Sequence, residues 1–293
     1  MRLRLLAVLA ATIVLTACSQ PPHRATRTPS PAPSAARFVR VLFPGHRVVA
    51  YYGEADVPAM GVLGTSSAQR ILPRLLRQAH AYAPYGEPVI PAFELIAVVA
   101  ERAPGNADAY SVPIDSVTVR RYLDEIRKVH GLLILDVQPG RAPFLPYVKR
   151  YERFLREPDV SVAMDSEWSM GAGQVPGQVI GSTNAGTINA VSAYVSTLAG
   201  RYHLPQKLLI IHQFTSDMIE RHQDVVMRPN LAIVFHVDGF GSRAGKLSKY
   251  QLLSHDRHGA FIGLKLFYEQ DVDMFSAAQV MRLSPRPDLI TYQ

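Results

Sequence analysis

The sequence predicts a single (β/α)8 TIM barrel over residues 38–293. Three observations predict it: eight short β-branched runs, an amphipathic stretch after nearly every run, and a length of about 255 residues, close to the usual size of that fold. The strand candidates are Val48–Tyr52, Pro88–Ala92 with its continuation, Leu132–Asp136, Val160–Met164, Leu208–His212, Ala232–His236, Ile262–Phe267 and Leu289–Tyr292. Helical spacing marks Ser67–Tyr82, Asp115–Val129, Phe144–Arg156, Asn184–His203, Ser216–Asp224, Ala244–Asp256 and Ser276–Arg282. A doubly wound open sheet is the main rival. It would bring a Gly-rich phosphate turn after the first strand, and Tyr52-Gly53-Glu54-Ala55-Asp56 is not one.

Residues 1–17 read as a lipoprotein signal peptide. Met1-Arg2-Leu3-Arg4 supplies the charged start, and the apolar run from Leu5 to Ala17 is too short to span a bilayer as a helix. The run ends at Leu15-Thr16-Ala17-Cys18, which resembles a lipobox, so the chain's one cysteine is expected to be lipidated and to become the new N-terminus. Residues 18–37 are Pro, Ser, Ala, Thr and Arg with little to bury, and are expected to form a flexible tether. The expected location is therefore extracytoplasmic, with a membrane contact through the lipid on Cys18. With one cysteine, consumed by lipid, no disulfide can form within the chain.

The formal charge of +7 suggests nucleic acid until it is located. Arg2, Arg4, Arg24, Arg27 and Arg37 lie in a stretch without Asp or Glu; removing these five from the 31 basic residues leaves 26 against 24 acids. The barrel region is thus nearly neutral, and a nucleic-acid role loses its main support. No internal repeat or second linker divides the chain, and a monomer is expected.

In a barrel, chemistry collects where strands end and βα-loops begin. Here those ends are rich in reactive groups: Tyr52, Glu94, Asp136, Asp165 with Glu167 and Trp168, His212 with Gln213, Asp238, and Lys265 running on to Glu269. A lone strand-end Asp commonly caps a helix, but one polar group from almost every strand points to a pocket. Asp165-Ser166-Glu167-Trp168 is the sharpest segment. Residues two apart on a strand share a side, and paired carboxylates raise each other's proton affinity, which suits general acid catalysis at a glycosidic bond; Trp168 would stack on a sugar ring. The bland reading pairs Asp165 with Lys265 or Arg141 and leaves Trp168 as packing.

Asp136, Asp238, His212 and His236 admit a metal, but there is no His-x-His on the first strand and no His-Glu-x-x-His, so neither metal nor cofactor is expected. Nucleophile elbows of the Gly-x-Ser-x-Gly type are absent as well. The glycine- and amide-rich stretch Gly171–Gln178, just beyond the paired carboxylates, is expected to rim the pocket.

The series Tyr51-Tyr52-Gly53, Leu135-Asp136-Val137-Gln138-Pro139-Gly140, Asp165-Ser166-Glu167-Trp168, His212-Gln213-Phe214 and Val237-Asp238-Gly239-Phe240-Gly241 resembles a family of uncharacterised exported proteins and lipoproteins from actinobacteria with a glycoside-hydrolase-like TIM barrel. More distantly, Asp165-Ser166-Glu167 is similar to the Asp-x-Glu motif on the fourth strand of chitinase-like and muramidase-like barrels, although the longer Asp-x-x-Asp-x-Asp-x-Glu string is missing. That resemblance implies Glu167 as acid and Asp165 as its electrostatic partner. The expected function is cleavage of a cell-wall polysaccharide or glycoconjugate. Glu167, Asp165 and Asp136 are the catalytic candidates, and Glu94, Trp168, His212, Gln213, Asp238, Lys265, Tyr52 and Glu269 are the substrate-binding ones. The alternatives are a non-catalytic glycan- or ligand-binding lipoprotein and a metal-dependent hydrolase or deacetylase.

Overall fold

The computed structural model describes residues 40–293. The signal, tether and lipidation assignments, Cys18 included, lie outside the described residues. Eight strands form a closed parallel barrel: β1 (Arg47–Gly53), β2 (Val89–Ala100), β3 (Leu132–Val137), β4 (Val160–Asp165), β5 (Lys207–Gln213), β6 (Leu231–Val237), β7 (Phe261–Leu266) and β8 (Leu289–Tyr292). Each pairs with its neighbour in chain order, and β8 pairs with β1 to close the ring. A short strand, Ser111–Pro113, adds antiparallel to the end of β2.

The helices are α1 (Ala68–His80), α2 (Ser116–Arg127), α3 (Phe144–Arg150), α4 (Glu152–Leu155), α5 (Ala185–Arg201), α6 (Arg243–Ser254) and α7 (Ala277–Val280). Among the described residues no helix is long and apolar enough to cross a membrane. Side-chain caps start several of them: Asp115 accepts from Val117 and Thr118, Asn184 from Thr187, and Ser242 from Gly245.

Two helical expectations change. The stretch Phe144–Arg156 splits at Tyr151, whose backbone leaves helical geometry at φ −94° and ψ 14° and whose buried hydroxyl donates to the carbonyls of Ala97 and Ile114. Ser216–Asp224 is not an α-helix: Ile219–Glu220 pairs with Thr183–Asn184 as a small parallel strand, and Arg221 adopts a left-handed conformation before a single 3-10 turn. Met218 and Ile219 are both buried and adjacent in sequence, a spacing that serves an extended segment better than a helix face.

Strand alternation sends one set of side chains outward to the helices and the other into the barrel. The outer set, with Val49, Leu133, Val162, Ile211, Phe235 and Ile290 among its members, joins the helices in the main core. The inner set is stacked in layers. Leu42 and Phe43 plug the floor, held there by the Gln206 side-chain oxygen, which accepts from both of their backbone amides. Above them come Val48, Ile90, Leu132, Leu208, Ala232 and Leu289, then a layer of mostly small residues that includes Ala50, Ala92 and Ala163. Gly263 belongs to this small layer, and a Cβ there would lie 2.2 Å from His236 Nδ1. Gly263→Ala is therefore expected to destabilise the fold by about 1–3 kcal/mol through overpacking, measured by urea unfolding. His236→Ala in the same chain should recover part of that loss; a tolerated single variant would show that the ring has room to move.

Candidate active site

The third inner layer is polar, with one group from each strand: Tyr52, Glu94, Asp136, Asp165, His212, His236, Lys265 and Thr291, none more than 3% exposed. The register that places them is explicit, with Tyr52 opposite Glu94, Asp165 opposite His212, His212 opposite His236, and Lys265 opposite Thr291. Buried charges are tolerated only when paired, and here the pairing is dense.

His212 is the hub. Its Nδ1 lies 2.8 Å from Asp238 Oδ2 and its Nε2 lies 2.9 Å from Glu94 Oε1. Burial alone would push the imidazole down, but Asp165 nearby and the bonds to Asp238 and Glu94 carry it well above the ordinary histidine range. Burial opposes the ionised form of both partners and is outweighed. Glu94 is lowered by His212, and Asp238 is held well below the usual carboxylate range by Lys265 and His212. Thr291 Oγ1 donates to Glu94 Oε2, and Lys265 Nζ lies 3.1 Å from Asp238 Oδ2 while resting 3.7 Å above the Tyr52 ring.

A second group forms around the Tyr52 hydroxyl, which reaches Asp136 Oδ2 at 3.0 Å and Asp165 Oδ2 at 3.3 Å and accepts from Gln138 Nε2 at 3.1 Å. The other oxygen of each carboxylate, Asp136 Oδ1 and Asp165 Oδ1, is buried without a hydrogen-bond partner. Burial therefore keeps protons on these acids. Asp136 is raised to about 6, with Glu94 adding to the effect against His212; Asp165 is raised to about 7, with Asp136 adding to it.

Glu167 stands just outside this layer. β4 ends at Asp165, and Ser166–Trp168 forms a 3-10 turn, so Glu167 is half-buried at the mouth rather than facing inward beside Asp165 on the strand. Burial, then the charges of Asp165 and Asp238, raise its carboxyl to about 8. Glu167 and Trp168 line a cavity of about 280 Å³ with Gly177, Gln178, Val179 and Ile180. The loop after β4 thus rims the pocket at its Gly177–Ile180 end, held close by the bond from the Gly181 amide to the Glu167 carbonyl.

Several sequence expectations find other places. Glu94, His212 and Asp238 were expected to meet substrate, but their polar atoms are consumed by one another, by Lys265 and by Thr291, beneath the mouth. Gln213 follows His212 and so takes the opposite side of the strand, its amide donating to the Thr215 carbonyl. Glu269 lines a separate cavity of about 120 Å³ with Arg74, Tyr268 and Gln293. Arg141 pairs with Asp108 rather than Asp165. His236, Gln138 and Thr291 complete the polar layer; their inward strand parity was the signal available for His236 and Thr291, while Gln138 lies one residue beyond β3.

Two triads, Glu94–Asp136–His212 and Asp165–His212–Asp238, bring potential metal donors within 4.8 Å of one another. Both need His212. Its ring nitrogens are each engaged by a carboxylate, Asp238 at Nδ1 and Glu94 at Nε2, so a cation held by either triad would replace one of those hydrogen bonds.

No family model matches the chain, and no curated protein matches it. Among solved structures it is similar to a hyperthermophilic endo-β-1,4-glucanase in complex with substrate, at 10% identity and a TM-score of 0.41, over 85% of this chain and 89% of that one. The closed strand pairing itself defines the (β/α)8 fold.

The raised acids set a stability trend. Glutamate and aspartate in the unfolded chain ionise near 4.5 and 3.8, whereas Glu167 and Asp165 in the fold ionise near 8 and 7. Between those limits the folded chain holds more protons, so these groups stabilise it most at low pH, and their contribution is lost as pH rises through 7 to 8. Urea midpoints measured from pH 5 to 9 should fall less steeply for Glu167→Gln than for the parent chain. An unchanged slope would mean that Glu167 ionises normally.

Proposed function

We propose that the chain is a glycoside-hydrolase-like enzyme that cleaves a cell-wall polysaccharide or glycoconjugate, with Glu167 as general acid/base and Asp165 as its modulating carboxylate. What carries this reading is the position of Glu167 on the wall of a cavity shared with Trp168, directly outside a buried layer of acids, where burial and the charges of Asp165 and Asp238 raise its carboxyl to about 8. Glycoside cleavage needs an acid for the departing oxygen and a carboxylate near the anomeric carbon. Asp238 cannot supply the second, because His212, Lys265 and the Gly239 amide occupy both of its oxygens. Asp165 retains a free oxygen, and Tyr52 donates to the other.

In this mechanism Glu167 protonates the glycosidic oxygen as the bond opens, water adds to the anomeric carbon and returns a proton to the Glu167 carboxylate, and Trp168 offers its ring face to a sugar. Positive charge growing at the anomeric carbon is stabilised by the ionised form of Asp165, which is populated at neutral pH because the group is raised only to about 7. The reading also places the enzyme in the cell envelope, anchored through lipid on Cys18, as the lipobox-like end of the leader and the resemblance to exported actinobacterial lipoproteins suggest.

Incubation of the purified protein with fractionated envelope polysaccharides should release new reducing ends. Glu167→Gln should cut that release by about 10²–10⁴-fold, and the parent activity should decline above pH 8 as the acid form is lost. Binding without turnover by the parent chain would favour the non-catalytic alternative, and full activity in the variant would remove Glu167 from the chemistry. For the anchor, Cys18→Ala should abolish palmitate labelling in cells and shift the protein out of the membrane fraction. Labelling that persists in that variant would rule the anchor out.

A further inference from the structure

Three lysines lie near the C-terminal ends of β6 and β7, and the two buried ones are fully employed. Lys265 pairs with Asp238, and Lys246 pairs with Asp271 at 3.0 Å while donating to the carbonyls of Gly239 and Lys265. Lys249, on α6, makes neither a hydrogen bond nor an ion pair among the described residues. Its ammonium lies 3.9 Å over the Phe214 ring, on the loop after β5. It occupies space left by a missing side chain: a Cβ on Gly239 would lie 2.4 Å from Nζ. Gly239 has φ +93°, a conformation that itself favours glycine, so the rim after β6 is shaped to admit this amine.

Gly239 lies just past the end of β6, so the ammonium beside it sits at the same end of the barrel as Glu167; burial lowers it, against the charges of Asp238, Glu167 and Asp271. Two of these already have lysine partners, and Glu167 keeps its proton near neutral pH, so Lys249 remains a cation without a counter-ion. On the cavity side of Glu167, Trp168, Val179 and Ile180 supply apolar lining, and Gly177 lies beside the Arg102 guanidinium. Of these two cations, Lys249 is the one seated over an aromatic ring.

Resting on the glycan reading above, we infer that Lys249 is a specificity-determining residue that receives an anionic substituent of the glycan, a carboxylate or a phosphate, carried next to the bond presented to Glu167. The substrate class is then an acidic rather than a neutral polysaccharide. An aromatic ring beneath an ammonium favours this role, because it holds the cation in place without neutralising it.

The test is calorimetric binding to the Glu167→Gln protein, which retains the mouth but does not consume the ligand. Three probes separate the possibilities: an oligogalacturonate, the same oligomer with its carboxyls reduced to alcohols, and a glycerol-phosphate polymer. At least one anionic probe should bind about tenfold or more tighter than the neutral oligomer, the size of one charge-assisted hydrogen bond. Lys249→Met should bring that ratio to within about twofold of unity, and Lys249→Arg should restore it. The response of the two anionic probes tells carboxylate from phosphate. Arg102, whose guanidinium lies near Gly177, is the control, and Arg102→Met should keep the preference. Equal binding of all three probes, no binding of either anionic one, or a preference that survives Lys249→Met would overturn the inference. Failure of the catalytic reading looks different: the parent protein would release no reducing ends while the charge preference persisted.

Discussion

The structure depends on one arrangement, the protonated His212 ring held between Glu94 and Asp238 inside a dry barrel. Those two carboxylates can stay ionised away from water only because the imidazolium and Lys265 sit among them; removing either cation would leave a buried charge without a partner, at a cost of several kcal/mol. Asp136 and Asp165 feel the same two cations more weakly, and burial raises them to about 6 and 7. The separation of Glu94 and Asp238 from Asp136, Asp165 and Glu167 in proton affinity follows from which acids His212 and Lys265 contact, and such a separation is what acid–base chemistry requires.

Layering makes this possible. The lower barrel is apolar and plugged by Leu42 and Phe43, so no water approaches the hub from below. The middle layer is small, and Gly263 in particular leaves room for the His236 ring, both of whose nitrogens lack partners. Burial and the nearby positive charge of His212 hold His236 down to about 3, so it fills space beside the hub as a neutral ring. Positive charge in the layer is thereby confined to two positions, and at Glu167 burial and the charges of Asp165 and Asp238 outweigh those of Lys265 and His212.

Much of this was legible in the sequence. Short apolar, β-branched runs such as Val48–Tyr52 and Leu208–His212 marked eight strands, and a polar residue at the end of nearly every run marked one rim. Local pattern did not reveal which polar atoms would satisfy one another. Glu94, His212 and Asp238 look like ligands for a substrate when each is read alone, yet their partners lie 26 and 118 residues apart along the chain and only closure of the barrel joins them. Glu167 was found by its spacing from Asp165, but the strand ends between them, so the two do not share a face in the way that spacing implied. Ser216–Asp224 was misread because its composition suits a helix, while its two buried residues and the pairing of Ile219–Glu220 with Thr183–Asn184 impose an extended segment. Lys249 carried no signal at all, since a lysine on an amphipathic helix normally faces solvent.

The enclosure of the polar layer also separates it from the ionic atmosphere. With no member more than 3% exposed, mobile ions cannot reach between His212 and its carboxylates, so dissolved salt leaves those interactions almost unscreened while it weakens exposed pairs such as Arg121 with Asp56. The proton affinities inside the layer are thus governed by charges within the protein, and they hold across surroundings whose ionic strength varies widely.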